Sequence, residues 1–369
     1  MSVGANKARL FLPQKREDRF LQIRRDCVCR SLGESCFRRW RILSRKRDLS
    51  ENCDLVFAIV TQFNNDLFVV SNISRHQGHR VSLKPGKGWL RRNFLTQVYL
   101  PSLFTRRKGI AHRPQFPELR PEQICLTWIG HASFLIGWRG LNILVDPIWS
   151  LWLKIIKRIR RPGFSLHHLP AIDLVLVTHA HFDHLDRRTL RRISAFQPII
   201  VPNGVGNLVQ DLGFNRVHEL DRWQTLNIGE IGVTLTPCHH WGARVLHDFH
   251  RGFGGFHLKL GTRTILHCGD SAYFSGFAEI GQRLPTEIAL LPIGAYDPPS
   301  RREVHMNPEQ AVQAFTELDA RLMIPMHYGS FRLSFEPPEE PLTRLRAAIK
   351  RHHIEERVVV MEEGVPGIF

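Results

Sequence analysis

Three histidines and an aspartate occur within one run of seven residues, Thr178-His179-Ala180-His181-Phe182-Asp183-His184. The run directly follows residues 174–177, an apolar segment that is typical of a strand buried on both faces. Because a loop is free of the strict alternation of a strand, several of these side chains can turn toward one point. Imidazole and carboxylate groups bind Zn²⁺, and also Fe and Mn. The run therefore predicts a metal site for two ions at the end of a buried strand.

Four ligands are too few to enclose two metal ions, and further candidates follow other apolar segments of the chain. We predict two divalent metal ions, with Zn²⁺ favoured and Fe or Mn as alternatives. The predicted set has seven members, namely His179, His181, Asp183, His184, one of the adjacent pair His239 and His240, Asp270, and His327.

Two cations and a carboxylate between them would lower the pKa of a trapped water toward neutrality, which gives a hydroxide nucleophile at physiological pH. The same charges would stabilise negative charge on the attacked centre. That centre is the phosphorus of a phosphodiester, or the carbonyl carbon of an amide or lactone. The ligand types by themselves leave this choice open.

The elements that must position these residues are short apolar strands. We predict paired strands at residues 126–129 and 133–136, a third at 141–145 that ends at Asp146, and later strands at 232–236, 264–267, 288–292 and 322–325. Asn307 is a good helix cap, since Pro308 follows it and Gln310 can close a capping box. This order implies two mixed sheets that pack face to face with helices outside.

The chain resembles the metallo-β-lactamase superfamily, with 178–186 matching its histidine motif. It is most similar to the branch of N-acyl-phosphatidylethanolamine-hydrolysing phospholipase D and its bacterial relatives. The resemblance implies an α/β (α+β) fold, the four-layer αββα sandwich, over about residues 122–362. It is seen in the segments Thr127 to Ala132, Thr236 to Trp241, Gly269-Asp270, Leu291 to Tyr296 and His305 to Val312.

The resemblance also implies a role for each candidate. It assigns His179, His181 and His240 to one metal, Asp183, His184 and His327 to the other, and Asp270 to both. His240 is favoured over His239 because the ligand of the family directly precedes a tryptophan, here Trp241, although the reverse assignment stays open.

Three more residues are candidates for the surroundings of the metals. Asp146 ends a strand before a proline, where its carboxylate can accept a hydrogen bond from a ligand histidine and fix the tautomer, and His131 could act similarly. His305 matches a histidine that lies near the substrate phosphate in the phospholipase branch, or it is only a helix-entry residue. The predicted catalytic residues are Asp183 and His305.

The favoured function is a binuclear metal-dependent phosphodiesterase of phospholipase D type, acting on a small-molecule or lipid phosphodiester. One alternative is a lactone or amide hydrolase with the same site. Another is a non-catalytic metalloprotein that binds nucleic acid, although closed structural zinc sites are usually rich in cysteine.

In residues 149–161 the apolar Trp152, Ile155, Ile156 and Ile159 share a helical face, which predicts a basic amphipathic helix. Such a helix would contact an anionic membrane, or would simply cover the core.

Charge and composition separate the two ends of the chain. The 369 residues have a formal net charge of +17, and 1–120 hold 25 Lys and Arg against 9 Asp and Glu. We predict a basic extension at 1–88, able to attract nucleic acid or anionic lipid, and a hydrolase domain at 89–369.

A hydrophobic fraction of 43% argues against disorder of the whole chain. No spanning or secretory pattern is visible, which predicts a cytoplasmic protein, with a peripheral location at a membrane as the alternative.

Overall fold

The computed structural model describes residues 61–63, 66–68, 92–245 and 248–369. The chain divides into two units, Met1–Lys84 and Pro85–Phe369. In the first unit, the strands β1 (Thr61–Phe63) and β2 (Asp66–Phe68) pair antiparallel. Most of the basic extension predicted at 1–88 lies outside the described residues.

All the other described strands belong to the second unit. They are β3 (Ile124–Gly130), β4 (Ser133–Trp138), β5 (Leu141–Val145), β6 (Trp152–Leu153), β7 (Ile156–Lys157), β8 (Leu174–Leu176), β9 (Pro198–Pro202), β10 (Arg216–Leu220), β11 (Thr225–Ile228), β12 (Ile231–Thr236), β13 (Gly255–Leu260), β14 (Arg263–His267), β15 (Ile288–Pro292), β16 (Leu322–Met326) and β17 (Pro366–Ile368).

The longer strands form two mixed sheets. The first has the order β10-β9-β8-β5-β4-β3-β17, in which β5, β8, β9 and β10 run parallel. The second has the order β11-β12-β13-β14-β15-β16, in which β14, β15 and β16 run parallel. Each strand predicted from residue 126 onward is present within one or two residues, including the antiparallel pair β3 and β4.

The main core lies between the two sheets. Trp128, Phe134 and Ile143 of the first sheet share one buried cluster with Val233 and Phe256 of the second. A separate buried cluster covers the opposite face of the first sheet, and this cluster contains Val175 and Ile199. Because β8 contributes to both clusters, its run of apolar residues without alternation is explained.

The helices lie outside the sheets, as predicted. The described helices are a π-helical turn (Leu95–Tyr99), α1 (Leu100–Phe104), α2 (Arg187–Ile193), α3 (Gly276–Arg283), α4 (Pro308–Glu317) and α5 (Glu340–Arg351), with 3-10 turns at Leu166–His168, Gly206–Leu208 and Glu355–Arg357. Leu190 of α2 packs on the first sheet, and Phe277, Phe315 and Leu345 pack with the second. The four-layer αββα prediction is confirmed. The capping box of Asn307 and Gln310 at the start of α4 is also present.

The prediction of an amphipathic helix at 149–161 is wrong. This segment forms a short hairpin of β6 and β7, and Lys154 in its turn has φ of 55°. The physical reason lies in Arg158, which is fully buried and donates hydrogen bonds to the carbonyls of Ile129 and Ile148 at 3.4 and 2.9 Å. These tertiary bonds hold the segment extended against the first sheet, and they override its helical periodicity. Trp152 and Ile155 remain exposed at the hairpin.

Among the described residues, no helix has both the length and the apolar character that crossing a membrane requires.

Candidate metal centre

The candidate residues meet because the strands before them end at the same sheet edges. In the second sheet β12 is antiparallel to β13, which is antiparallel to β14, and β16 is parallel to β14 through β15. The carboxyl ends of β12, β14 and β16 therefore point the same way, and they lead to His240, Asp270 and His327. In the first sheet β5 and β8 are parallel and lead to Asp146 and the motif that begins at Thr178.

The first cluster of possible ligand atoms contains His179, His181, His240 and Asp270, all within 4.8 Å of one another. His181 Nδ1 lies 2.9 Å from His179 Nε2 and 3.2 Å from His240 Nε2. Asp270 Oδ2 lies 3.8 Å from the Nε2 atoms of both His179 and His240. Three imidazoles and a carboxylate thus face one point, which is a donor set that suits a divalent transition metal.

The second cluster contains Asp183, His184, His327 and also His131. Asp270 Oδ2 is 3.1 Å from the Nε2 atoms of both His184 and His327. The Asp270 carboxylate therefore lies against both clusters, where it would contact a cation held by either one. All seven residues of the predicted set are brought together, provided that His240 is the member of the adjacent pair.

The adjacent residues His239 and His240 have different environments in the structure. His240 is buried and turns Nε2 toward the first cluster, while its Nδ1 donates a hydrogen bond to the Val304 carbonyl at 3.0 Å. His239 is exposed and lies in neither cluster, and its backbone N–H donates to Ser271 Oγ. The bond to Val304 fixes the tautomer of His240 that leaves Nε2 free to bind a cation.

Several buried atoms in these clusters have no hydrogen-bond partner within the described part of the chain. They include His184 Nε2, His327 Nε2 and Asp270 Oδ1. A buried polar atom without a partner costs roughly 1–3 kcal/mol, so such atoms are uncommon in folded proteins unless an ion or water pairs with them. Their concentration at the two clusters fits a pair of divalent cations.

Asp146 fixes the orientation of Thr178 and His184 at the second cluster. Its carboxylate accepts hydrogen bonds from Thr178 N at 2.7 Å, from Thr178 Oγ1 at 2.6 Å and from His184 Nδ1 at 2.7 Å. The bond from His184 selects the tautomer whose Nε2 faces the site. The role expected for Asp146 from its position before a proline therefore agrees with its contacts.

His131 occupies a turn with φ of 58° and donates from Nε2 to Asp183 Oδ2 at 3.0 Å. This contact orients the Asp183 carboxylate, as expected for a residue beside the ligands, although the same nitrogen is also close enough to bind a cation. His305 stacks on His327 with ring centroids 5.1 Å apart, and its buried Nδ1 lies 3.8 Å from Asp270 Oδ2. Both sequence candidates thus border the site.

Arg244 is a contributor that sequence reasoning missed. Its guanidinium donates to the carbonyls of Ala180 and Leu185, at 2.6 and 3.0 Å, and lies 4.1 Å from the centroid of the Phe182 ring. These contacts fix the loop between the motif residues. No signal in the sequence identified Arg244, because its partners are backbone carbonyls about sixty positions away.

The protonation states agree with metal binding. Burial lowers the pKa of His179 and of His240 well below the usual value, so that both imidazoles are neutral. Burial alone would raise the pKa of Asp270, but the nearby His184 and His327 hold it well below its usual value. Burial would likewise lower the pKa of His327, but the carboxylates of Asp270 and Asp183 raise it to about 9. The carboxylates thus favour positive charge at the second cluster, which a divalent cation would supply.

Replacing Asp146 with asparagine is expected to weaken metal binding by about 10–100-fold, because the amide keeps only one acceptor oxygen, for which the Thr178 backbone N–H and His184 Nδ1 then compete. The dissociation constants of the bound metals, measured by competition with a chromogenic chelator, check this. Asp211→Asn is the control, since Asp211 is exposed and pairs with two arginines away from the clusters, Arg187 and Arg191. Equal metal affinity in Asp146→Asn and wild-type protein would contradict the orienting role.

The comparisons with known proteins agree with this geometry. Residues 141–328 match the family model described as "Beta-lactamase superfamily domain". An uncharacterised protein of Mycobacterium tuberculosis (strain ATCC 25618 / H37Rv) is 33% identical in an alignment of 245 positions that covers 63% of this chain and 66% of the relative. N-acyl-phosphatidylethanolamine-hydrolyzing phospholipase D 1 of Caenorhabditis elegans is 33% identical over 226 residues, 56% of this chain and 64% of the relative.

Among solved structures, a metallo hydrolase of the archaeon Ignicoccus hospitalis KIN4/I superposes with a TM-score of 0.52 at 25% identity, over 67% of this chain and 98% of that one. The matched part of this chain spans just under two thirds of the length of the mycobacterial and nematode relatives.

Proposed function

Because the chain belongs to the metallo-β-lactamase superfamily, we propose that it is a binuclear metal-dependent hydrolase and that its substrate is a phosphodiester. The single observation that supports this best is the position of Asp270. One carboxylate oxygen lies within 3.8 Å of imidazole nitrogens from both ligand clusters. A lone structural ion would need no carboxylate shared between two sets of ligands.

In this proposal His179, His181 and His240 hold one cation, Asp183, His184 and His327 hold the other, and Asp270 contacts both. Two divalent cations, when bound, supply an activated water and neutralise charge that develops on the attacked phosphoryl group. The protein keeps the ligand atoms at fixed positions: Asp146 orients His184, the Val304 carbonyl orients His240, and Arg244 fixes the motif loop.

His305 is proposed to contact the leaving group. Its ring lies between those of His240 and His327, with centroids 5.0 and 5.1 Å away, and its Nδ1 has no partner among the described residues. Burial lowers the pKa of His305 to about 4, so the ring is neutral near pH 7 and can donate one hydrogen bond. It would hold the leaving oxygen in line rather than supply a full positive charge.

A phosphodiester is favoured over a neutral ester because cationic and aromatic side chains surround the site. Lys154 and Arg244 both lie over the Phe182 ring, at 5.0 and 4.1 Å, and Arg302 lies 5.6 Å from the ring of Trp241. Positive charge next to Phe182 and Trp241, which adjoin the candidate ligands in the sequence, attracts an anionic phosphodiester and gives a neutral lactone no advantage. The aromatic faces suit a lipid-like substituent, and the name of the nematode relative points the same way.

A side-by-side rate comparison tests this proposal. Protein loaded in turn with Zn²⁺, Mn²⁺ or Fe²⁺ is expected to hydrolyse a bis-aryl phosphodiester, and the activity should disappear on chelation and return when metal is restored. Its kcat/KM, relative to the spontaneous rate, should exceed that for an aryl-substituted lactone or amide. Metal-dependent opening of the lactone without phosphodiester cleavage would instead identify a carbonyl substrate.

A further inference from the structure

A groove lined by basic side chains lies next to the candidate metal centre, and we call it the cationic groove. It has a volume of about 270 Å³, and its charged lining consists of Lys108, Arg160, Arg332, Arg346 and a single acidic residue, Glu339. The residues come from distant parts of the sequence. Lys108 is brought to Arg160 by a bridge in which Lys108 N donates to the Ile159 carbonyl at 2.8 Å.

The positive charges of the groove are only partly neutralised. Lys108 Nζ pairs with Glu339 at 2.9 Å, and Arg160 Nε lies 3.5 Å from Glu363. Arg332 and Arg346 form no salt bridge with any residue that the structure describes, and Arg332 Nε is buried without a hydrogen-bond partner in the same part of the chain. The buried Arg332 Nε is unfavourable without a partner, which a bound anion would supply, and the exposed Arg346 adds a second guanidinium without a salt bridge to any described residue.

The groove adjoins a small cavity that reaches two histidines of the second cluster. Tyr328, Gly329 and Arg332 line the groove and also line a neighbouring cavity that His131 and His327 border. Gly329 adopts φ of 70°, and no atom lies within 4 Å of the position that a Cβ would take there. A glycine at this position therefore permits the left-handed turn after His327 and places no side chain in the space beside it.

We propose that the cationic groove binds a second phosphate group of the substrate while the metal centre holds the phosphodiester that is cleaved. This inference rests on the proposed function. Guanidinium groups bind phosphate through paired N–H donors, and several cations around one volume suit a dianionic phosphomonoester better than a single carboxylate. The preferred substrate is thus a phosphodiester that carries an additional phosphomonoester.

A matched pair of substrates tests the proposal. The two are aryl phosphodiesters of glycerol that differ only in a phosphomonoester on the glycerol. Wild-type holoenzyme is expected to have a kcat/KM about tenfold higher for the bisphosphate, through a lower KM. In Arg332→Gln/Arg346→Gln this preference should disappear, and in Arg346→Gln alone it should fall several-fold. Arg346→Gln also guards against misfolding, because Arg346 is exposed on α5.

Arg351→Gln is the matched control, since Arg351 is an exposed arginine of the same helix that does not line the groove. It should keep the preference for the bisphosphate. An equal loss of preference in Arg351→Gln would attribute the effect to general charge and overturn the proposal. Equal kcat/KM values for the two substrates in wild-type protein would also overturn it.

A binding measurement separates failure of the groove from failure of the proposed function. If wild-type protein cleaves neither diester, the phosphodiesterase proposal fails, and inorganic phosphate is titrated calorimetrically into metal-loaded protein. Wild type should then bind one phosphate more than Arg332→Gln/Arg346→Gln, and equal numbers would overturn an anion site in the groove. The same titration is made if wild-type protein cleaves both diesters equally. An extra bound phosphate would then mean that the groove binds free phosphate, which overturns its assignment to the substrate.

Discussion

Replacing Asp270 with alanine is expected to lower kcat/KM for a phosphodiester by at least about 10³-fold, because each cation contributes several kcal/mol to the stabilisation of the transition state. Asp270 Oδ2 lies 3.1 Å from the Nε2 atoms of His184 and His327 and 3.8 Å from those of His179 and His240. Its removal takes away a carboxylate that lies against both clusters. Steady-state rates with saturating metal in the buffer provide the measurement.

The control for this change is Asp211→Ala, whose side chain is exposed and lies outside the clusters. It should retain wild-type activity. If Asp270→Ala kept more than about a tenth of the wild-type rate, a shared carboxylate could not be part of the catalytic arrangement.

The second large effect is expected from the adjacent histidines. His240→Ala should lower kcat/KM by roughly 10²–10³-fold, because it removes one of the three imidazoles of the first cluster. His239→Ala should stay within about twofold of wild type, because His239 is exposed and lies in neither cluster. The two variants remove the same side chain from neighbouring positions, so that each controls for the other.

The same pair decides the assignment that the sequence left open. A loss of activity in His239→Ala with retention in His240→Ala would reverse the roles of the two residues. It would also show that the loop 237–241 rearranges when metal binds.

The candidate ligands that the structure brings together could be predicted because their types and spacing are themselves the signal. Three histidines and an aspartate after an apolar segment have few roles other than metal binding. The parallel strands bring the ends of later strands to the same sheet edge. The fold from β3 onward could be predicted for a similar reason, since β5 and β15 are apolar runs bounded by turn residues. His239 and His240 could not be separated by residue type alone, because the choice depends on a bond to the Val304 carbonyl.

The hairpin of β6 and β7 shows where local pattern fails. Trp152, Ile155, Ile156 and Ile159 are spaced as on a helix, but the buried Arg158 contacts carbonyls that are distant in the sequence. Periodicity has no information about such contacts. The cationic groove escaped prediction for the same reason, since Arg160 and Arg346 are neighbours only in the folded chain.

The number of metal ions bound per chain tests the central claim most directly. Elemental analysis of purified protein, reconstituted with excess Zn²⁺ and freed of unbound metal, is expected to find two divalent cations per wild-type chain and at most one in Asp270→Ala. A reconstituted wild-type protein that holds one ion or none, with Asp270→Ala unchanged from it, would contradict a two-metal site.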